Sequence, residues 1–467
     1  MNKNNVLYRS GKYYCILFLT LVALIEFLSS AFSTGRCVTT IYEFQIILIF
    51  TLSYLNILKK VGPLHLYSLL HVTIFLFTLG GLLASAVSSD YDFRDYSSPW
   101  ASVVFKEEII QKILLIYCVY LGFSHIFFIE ISKEKKTLNN HGLYKLGKEE
   151  TYFKAGRIAM FLMLPFAIYY SYLQLTLVFQ NRMLLYQLGS NEALGVPLFV
   201  RLGNLVFQAG FFLIIASLPE KKQFLKYALL YFVAQIPILI MGERGDIAAL
   251  ILFILWYRNR VYDYRPNFKR LVVLAISLVL IFQILAYTRV GDEVESFSFI
   301  FLVTTFLFQQ SQSFNILALY FTYNGASIPH NYPYFLDQLI GGLLGATGQS
   351  YETLQVRSSL GHQLMYYLNP DYYLQGASLG TNFVAEMYEF GIFGVILGAF
   401  MLVYFIYLVE NRMFKSHLSL IFLFEFFTLI LLSPRGSLLP SIYYMIKFTI
   451  VVMVILYSYK LFFTRRV

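Results

Sequence analysis

Long apolar segments recur from one end of the chain to the other, and each needs lipid or other apolar side chains around it. About twelve of them approach the roughly 17–25 residues with which an α-helix crosses a membrane. The chain is 58% hydrophobic and 13% charged, whereas a typical soluble domain has about 25% charged residues. We therefore predict an all-α, polytopic integral membrane protein, with transmembrane helices near 15–33, 41–58, 66–88, 109–131, 155–179, 199–218, 224–241, 246–257, 271–288, 383–409, 417–433 and 440–460.

Lysine and arginine are distributed unevenly over the connections between these segments. With the N-terminus in the cytoplasm, 25 of the 36 basic residues fall on the cytoplasmic side, ten on the outer side, and Lys447 within the last span. Cytoplasmic connections of membrane proteins carry such an excess. The pattern predicts that both termini lie inside, and it accounts for the net charge of +10 without a nucleic-acid partner.

One connection, 289–382, is much longer than the others and lies outside in this topology. Its first part, 297–323, is apolar but is interrupted by glutamine, serine and asparagine, so we predict one or two helices lying at the outer membrane surface. The remainder is rich in Tyr, Gly, Asn and Pro, which is typical of a folded loop with short helices. The predicted organisation is nine spans in 1–288, a loop domain in 289–382 and three spans in 383–467.

Four of the arginines on the predicted outer side are candidates for binding a ligand. Arg244 lies beside Asp246 in a glycine-containing turn, and Arg435 lies in a similar turn between the last two spans. Arg289 ends the ninth span, and Arg357 lies in the long loop. A guanidinium near hydrocarbon is costly without an anionic partner, and its forked donors fit the oxygens of a diphosphate. Local ion pairing, headgroup anchoring and snorkelling are structural alternatives for these residues.

Three residues are candidates for accepting a proton during catalysis. His362 and Glu352 lie in the long loop, and Glu386 lies about one turn inside the tenth span. A neutral imidazole or a carboxylate can accept the proton of a sugar hydroxyl. A structural histidine and an ion-paired Glu386 are the alternatives. Tyr351 and its neighbouring tyrosines could stack on a sugar ring or pack at the membrane interface.

The sequence contains no P-loop, no glycine-rich dinucleotide turn and no HExxH motif. We therefore predict no ATP coupling, no cofactor and no metal site. The lipid bilayer is the expected environment of most of the chain.

Several motifs resemble those of the Wzy-type O-antigen and oligosaccharide repeat-unit polymerases, most clearly over 240–440. They are Gly-Glu-Arg-Gly-Asp at 242–246, Gly-Gln-Ser-Tyr-Glu at 348–352, Leu-Gly-Thr-Asn-Phe-Val-Ala-Glu-Met-Tyr at 379–388, Phe-Gly-Ile-Phe-Gly at 390–394 and Ser-Pro-Arg-Gly-Ser at 433–437. The resemblance implies a metal-independent, membrane-embedded glycosyltransferase that moves a glycan from undecaprenyl diphosphate onto the next lipid-linked repeat unit.

Carried onto this chain, the resemblance implies that Arg244, Arg289 and Arg435 bind the donor diphosphate, and that His362 or Glu352 assists the acceptor hydroxyl. It also implies a multi-pass protein of the bacterial cytoplasmic (inner) membrane, an active site facing outward, and a chain-length regulator as a candidate partner. Two alternatives stay open. One is an O-antigen ligase or another outer-face lipid-linked glycosyltransferase. The other is a flippase for lipid-linked sugars, which predicts internal repeats and polar residues deep in many spans.

Overall fold

The computed structural model describes residues 3–29, 35–98, 101–133, 146–180, 195–237, 244–290, 298–325 and 328–463. This part of the chain is almost entirely helical, with one antiparallel hairpin of strands β1 (Asp95–Ser98) and β2 (Ala101–Val104). In chain order the helices are α1 (Lys3–Ser29), α2 (Arg36–Val61), α3 (Leu66–Ile74), α4 (Gly80–Val87), α5 (Glu107–Lys133), α6 (Glu150–Gln180), α7 (Leu198–Ala216), α8 (Lys221–Ala234), α9 (Arg244–Tyr262), α10 (Phe268–Val290), α11 (Phe299–Gln310), α12 (Phe314–Thr322), α13 (Asp337–Ile340), α14 (Tyr351–Val356), α15 (Leu360–Leu368), α16 (Pro370–Leu374), α17 (Phe383–Met387), α18 (Gly391–Tyr407), α19 (His417–Leu420), α20 (Leu423–Leu432) and α21 (Ile442–Phe463).

The all-α, polytopic architecture predicted from the sequence is confirmed. Among the described residues, each of the twelve predicted spans overlaps at least one helix. Within the described residues, eight helical stretches are long and apolar enough to cross a membrane: Gly11–Ser29, Arg36–Val61, Leu66–Val87, Glu107–Ser132, Glu150–Leu177, Leu198–Ala216, Phe383–Lys415 and Ile442–Phe463. The other four predicted spans correspond to α8, α9, α10 and the α19–α20 pair. The total number of crossings and the orientation of the termini stay predictions.

A π-helical turn, Phe75–Leu79, separates α3 from α4 within the third apolar stretch. Such turns insert one extra residue and occur often at functional sites. Directly after it, Gly81 faces the end of α11, where a Cβ on this glycine would lie 2.5 Å from Ser311 Oγ. The missing side chain therefore lets α11 approach α4 closely, and this brings Gln310 next to the π-helical turn.

The apolar segment 297–323 forms two helices, as predicted, with a 3-10 turn at Ser311–Ser313 between them. The second helix is buried within the protein, whereas its position relative to the membrane surface stays a prediction. In α12, residues 314–320 are buried, and Phe314 stacks on Tyr117 of α5 with ring centroids 5.6 Å apart. A helix that is apolar on all sides gains more from burial in the bundle than from lying at an interface.

The long connection continues as short helices, α13 to α16, again as predicted. Tyr334, Leu360 and Tyr373 from this region are buried and belong to the same hydrophobic core as α5 and α18. The loop therefore packs onto the helical bundle through these buried side chains. The division at 289–382 that the sequence suggests stays a prediction.

Candidate active site

A fully buried asparagine joins three parts of the chain at the start of α17. The side-chain amide of Asn382 donates to Tyr117 OH at 2.6 Å and to the Ser313 carbonyl at 3.0 Å. Its Oδ1 accepts from the Val384 N–H at 2.8 Å and caps α17. The next residue donates its backbone N–H to the Ser433 carbonyl at 3.2 Å. The α20–α21 turn, the α11–α12 turn and the start of α17 therefore meet at one place.

Glu386 is buried at this meeting point, with only 2% of its surface exposed. Its Oε1 accepts hydrogen bonds from Ser437 Oγ at 2.5 Å and from Thr381 Oγ1 at 2.7 Å. Its Oε2 is buried and has no hydrogen-bond partner within the described part of the chain. The carboxylates of Asp337 and Glu389 lie within electrostatic range. The carboxyl group is thus held through one oxygen, while the other oxygen is buried without a partner among the described residues.

Arg435 extends from the same turn, two residues before Ser437. Its backbone N–H donates to the Leu432 carbonyl at 2.8 Å, and its Nη1 donates to Gln310 Oε1 at 3.2 Å. The guanidinium lies 5.7 Å from the centre of the Phe77 ring in the π-helical turn. It also acts electrostatically on the Asp246 carboxylate. The side chain is exposed, so the guanidinium is accessible to an anion.

The turn that carries Arg244 lies beside the Arg435 turn. Arg244 begins α9, and a Cβ on Gly245 would lie 3.8 Å from the Leu432 side chain. Asp246 occupies the first turn of α9, where a negative charge is stabilised by the helix dipole. The structure therefore brings Arg244, Asp246 and Arg435 together. Glu243 lies outside the described residues.

The other two arginines are placed differently. Arg289 belongs to the last turn of α10, but its side chain lies outside the described residues. Arg357 forms a forked ion pair with Asp337, at 2.6 Å from Nη2 to Oδ2 and 3.3 Å from Nε to Oδ1. Tyr332 OH donates to the same carboxylate at 2.7 Å. Burial disfavours the charged guanidinium, but the bonds and charge of Asp337 outweigh it and raise the pKa of Arg357. Arg357 thus has an anionic partner inside the loop, which favours a structural role.

His362 lies close to this ion pair. Its Nδ1 is 3.3 Å from Tyr373 OH. Burial, followed by the positive charge of Arg357, lowers the pKa of His362 to about 4, although Asp337 opposes this shift. The imidazole is therefore neutral at pH 7, as the sequence analysis expected of a proton acceptor.

The remaining loop candidates are exposed. Glu352 lies in the first turn of α14. Tyr351 is 54% exposed, and its ring meets that of Tyr366 edge to face, with centroids 5.8 Å apart. The exposed carboxylate of Glu352 keeps its hydration, whereas the buried carboxyl group of Glu386 does not. The two carboxylate candidates therefore differ in their environment.

The close packing of α15 on the segment before α17 gives a first testable prediction. A Cβ on Gly361 would lie 2.4 Å from the Leu379 carbonyl oxygen and 2.8 Å from that of Gly380. Gly361→Ala must therefore displace backbone next to Thr381 and Arg435, and we expect a loss of about 1–3 kcal/mol of stability together with reduced activity. Thermal unfolding of the purified protein measures the effect. Gly147→Ala is the control, because a Cβ there meets nothing within 4 Å, and equal unfolding temperatures for the two variants would contradict the prediction.

The low pKa of His362 predicts a pH dependence of stability. The folded pKa is about 4 and the reference value is 6.5, so between these values the unfolded chain binds a proton that the folded protein does not. The stabilising contribution is present above pH 6.5 and is lost as pH falls toward 4. The unfolding temperature of the wild type should therefore drop more steeply over this window than that of His362→Gln. His417→Gln serves as the matched control, and equal slopes for wild type and His362→Gln would refute the assignment.

Several residues of the site were not singled out from the sequence. Asn382, Thr381 and Ser437 lie within motifs that were recognised, but their roles depend on contacts between segments far apart in the chain. The asparagine had one local signal, because Asn directly before an apolar helix is a preferred N-cap. Gln310 interrupts an apolar segment, but its partner Arg435 could not be predicted because it is 125 residues away.

Within the described residues, no group of three or more His, Cys, Asp or Glu side chains is arranged to hold a metal ion. The sequence does contain one Asp-x-Asp pattern, in the connection after α4. Asp90 Oδ2 accepts from Ser88 Oγ at 3.0 Å, and Asp92 Oδ1 accepts from Arg94 Nη1 at 3.2 Å. Both carboxylates therefore have partners within their own turn.

The fold and these contacts define a polytopic α-helical membrane protein with a buried carboxyl group beside arginine-bearing turns. A family model described as O-antigen polysaccharide polymerase Wzy matches residues 14–467, nearly the whole chain. The protein therefore belongs to the Wzy O-antigen polysaccharide polymerase family. This match extends the resemblance well beyond 240–440. No curated protein and no solved structure matches the chain.

Proposed function

We propose that this protein joins undecaprenyl-diphosphate-linked oligosaccharide repeat units into a polysaccharide. The reaction would take place at the outer face of the bacterial cytoplasmic membrane, without a metal ion. Family membership supports the polymerase activity, and the distribution of lysine and arginine supports the outward-facing site. The observation that carries the proposal is the arrangement of two side chains on the α20–α21 turn. It presents the Arg435 guanidinium and, two residues later, the Ser437 hydroxyl that holds the buried Glu386 carboxyl group.

In the proposed reaction, the acceptor hydroxyl oxygen forms a bond to the anomeric carbon of the donor. The bond from that carbon to the diphosphate oxygen breaks, and the diphosphate leaves with the electron pair. Arg435 and Arg244, with Arg289 as a further candidate, would stabilise the negative charge on the leaving group. Glu386 would take the proton of the acceptor hydroxyl through its unoccupied oxygen.

The other candidates keep secondary roles in this proposal. His362 and Arg357 would hold the long loop in place, and Tyr351 would contact sugar on the exposed side of α14. Glu352 remains the rival proton acceptor. A chain-length regulator would be a separate protein that acts on this one.

The growth of surface glycan distinguishes the proposal from its alternatives. A strain that lacks this protein should carry a single repeat unit on the final acceptor, and expression of the wild type should restore long polymer on a gel. Full-length polymer retained on its lipid carrier would instead indicate an O-antigen ligase. Accumulation of single lipid-linked units facing the cytoplasm would indicate a flippase, and the catalytic assignments would then be wrong.

A further inference from the structure

A cavity with a mixed polar and apolar lining lies next to the turn that carries Arg244 and Asp246. It has a volume of about 220 Å³ and is enclosed by α7, α8, α9, α20 and α21. Asp246 lies at its exposed edge, and the same carboxylate is within electrostatic range of Arg435. The cavity and the proposed diphosphate site therefore share one wall.

The lining of this cavity is rich in groups that form hydrogen bonds. Asp246 and Glu425 contribute two carboxylates within electrostatic range of each other, and Tyr231 contributes a phenol. Gln235 is buried, with 9% of its surface exposed, and lines the cavity. Thr428 Oγ1 is buried and has no hydrogen-bond partner among the described residues. Buried polar atoms in native proteins are nearly always paired, so Thr428 Oγ1 indicates a polar ligand.

Charge and size limit what this ligand can be. Negative charge on the two carboxylates repels a diphosphate or an acidic sugar, and the mixture of polar groups and aromatic rings in the lining suits a molecule that has both hydroxyls and an apolar face. The volume corresponds to about seven water molecules at ~30 Å³ each, which suits one sugar ring but not a whole oligosaccharide. Carboxylate and amide oxygens accept hydrogen bonds from sugar hydroxyls, while the Phe212 and Phe424 rings supply apolar surface for the ring face.

We propose that this cavity binds one sugar ring of the lipid-linked substrate, the ring that carries the diphosphate, and that it selects neutral or amino sugars over acidic ones. The inference rests on the proposed function for its choice of substrate. The position of Asp246 between the cavity and Arg435 places the ring beside the diphosphate. Glu425 and Asp246 supply the selection by charge, because an ammonium group is attracted where a carboxylate is repelled.

Saturation-transfer NMR on the full chain in phosphatidylcholine nanodiscs tests this proposal without sugar-based detergents. The probes are glucosamine, glucose and glucuronate, which share one ring and differ in charge. We expect transfer to glucosamine and glucose at least fivefold stronger than transfer to glucuronate. Glu425→Gln should reduce the ratio of glucosamine to glucuronate transfer at least threefold, whereas Glu150→Gln at an exposed position should leave it unchanged.

A second variant fills the cavity. Thr428→Phe should remove transfer to all three sugars, while Thr176→Phe on α6 should not. Equal transfer to the three sugars in the wild type, or unchanged transfer in Thr428→Phe, would overturn the proposal. If Thr428→Phe does not fold, the sugar preference of Glu425→Gln and Asp246→Asn tests the proposal instead, because neither substitution changes the size of the side chain.

The binding readout separates this proposal from the polymerase proposal. If the protein restores polymer in cells but shows no preference among the three sugars, the cavity proposal is wrong and the polymerase proposal stands. If it prefers glucosamine over glucuronate but restores no polymer, the polymerase proposal is wrong and the cavity proposal stands.

Discussion

Arg435→Ala should reduce the rate of polymer formation by about 100- to 1000-fold, the range seen when one electrostatic contact to a developing negative charge is removed. The guanidinium is exposed and donates a hydrogen bond to Gln310 Oε1 at 3.2 Å, and we expect the fold to tolerate the change because the side chain is not part of the buried core. The initial rate of polymerisation from purified lipid-linked repeat units measures the effect directly. A gel of surface glycan gives the corresponding result in cells.

Two further variants decide how Arg435 acts. Arg435→Lys keeps a positive charge but loses the fork, so most of the activity should still be lost if two diphosphate oxygens are bound together. Arg412→Ala is the matched control, because Arg412 is an exposed arginine that contacts Tyr407 in the connection after α18. Wild-type rates in Arg435→Ala would eliminate the diphosphate assignment, and full activity in Arg435→Lys would show that a point charge suffices.

The sequence predicts the helices well because the length of an apolar segment directly reflects the thickness of a membrane. It cannot predict as well whether such a segment contacts lipid or protein. The α12 sequence is compatible with a surface helix, but residues 314–320 are buried and Phe314 stacks on Tyr117. In the fold, α12 packs against α5, which lies about two hundred residues earlier in the chain. No local sequence pattern predicts a contact between such distant segments.

The same limit applies to the candidate site. The Arg244 and Arg435 turns could be paired from their similar motifs and from the predicted topology. The Arg357–Asp337 ion pair could not, because its residues lie twenty positions apart in an irregular loop where spacing fixes no geometry. Asn382 bonds to Tyr117 across 265 residues, and such a contact follows only from the assembled bundle. Local motifs therefore identified the segments of the site, while the contacts between them required the fold.

Glu386→Gln should remove most of the catalytic activity and leave the fold nearly unchanged. The glutamine carbonyl oxygen can still accept hydrogen bonds from Ser437 and Thr381, and the side chain keeps its size. It cannot accept a proton, so we expect the polymerisation rate to fall by roughly 100- to 10,000-fold, the usual contribution of a general base. The unfolding temperature should stay close to that of the wild type.

A purely structural carboxyl group would give the opposite pattern. Glu386→Gln would then be active, and only Glu386→Ala, which removes the acceptor of two part-buried hydroxyls, would lose activity through unfolding. Glu352→Gln tests the rival base in the same assay, and Glu150→Gln controls for the loss of an exposed carboxylate. If Glu352→Gln is inactive while Glu386→Gln polymerises normally, the proton is accepted in the long loop. The opposite result would favour proton transfer to the buried carboxyl beside the Arg435 turn, because the amide keeps the size and one acceptor oxygen of glutamate but cannot take up a proton.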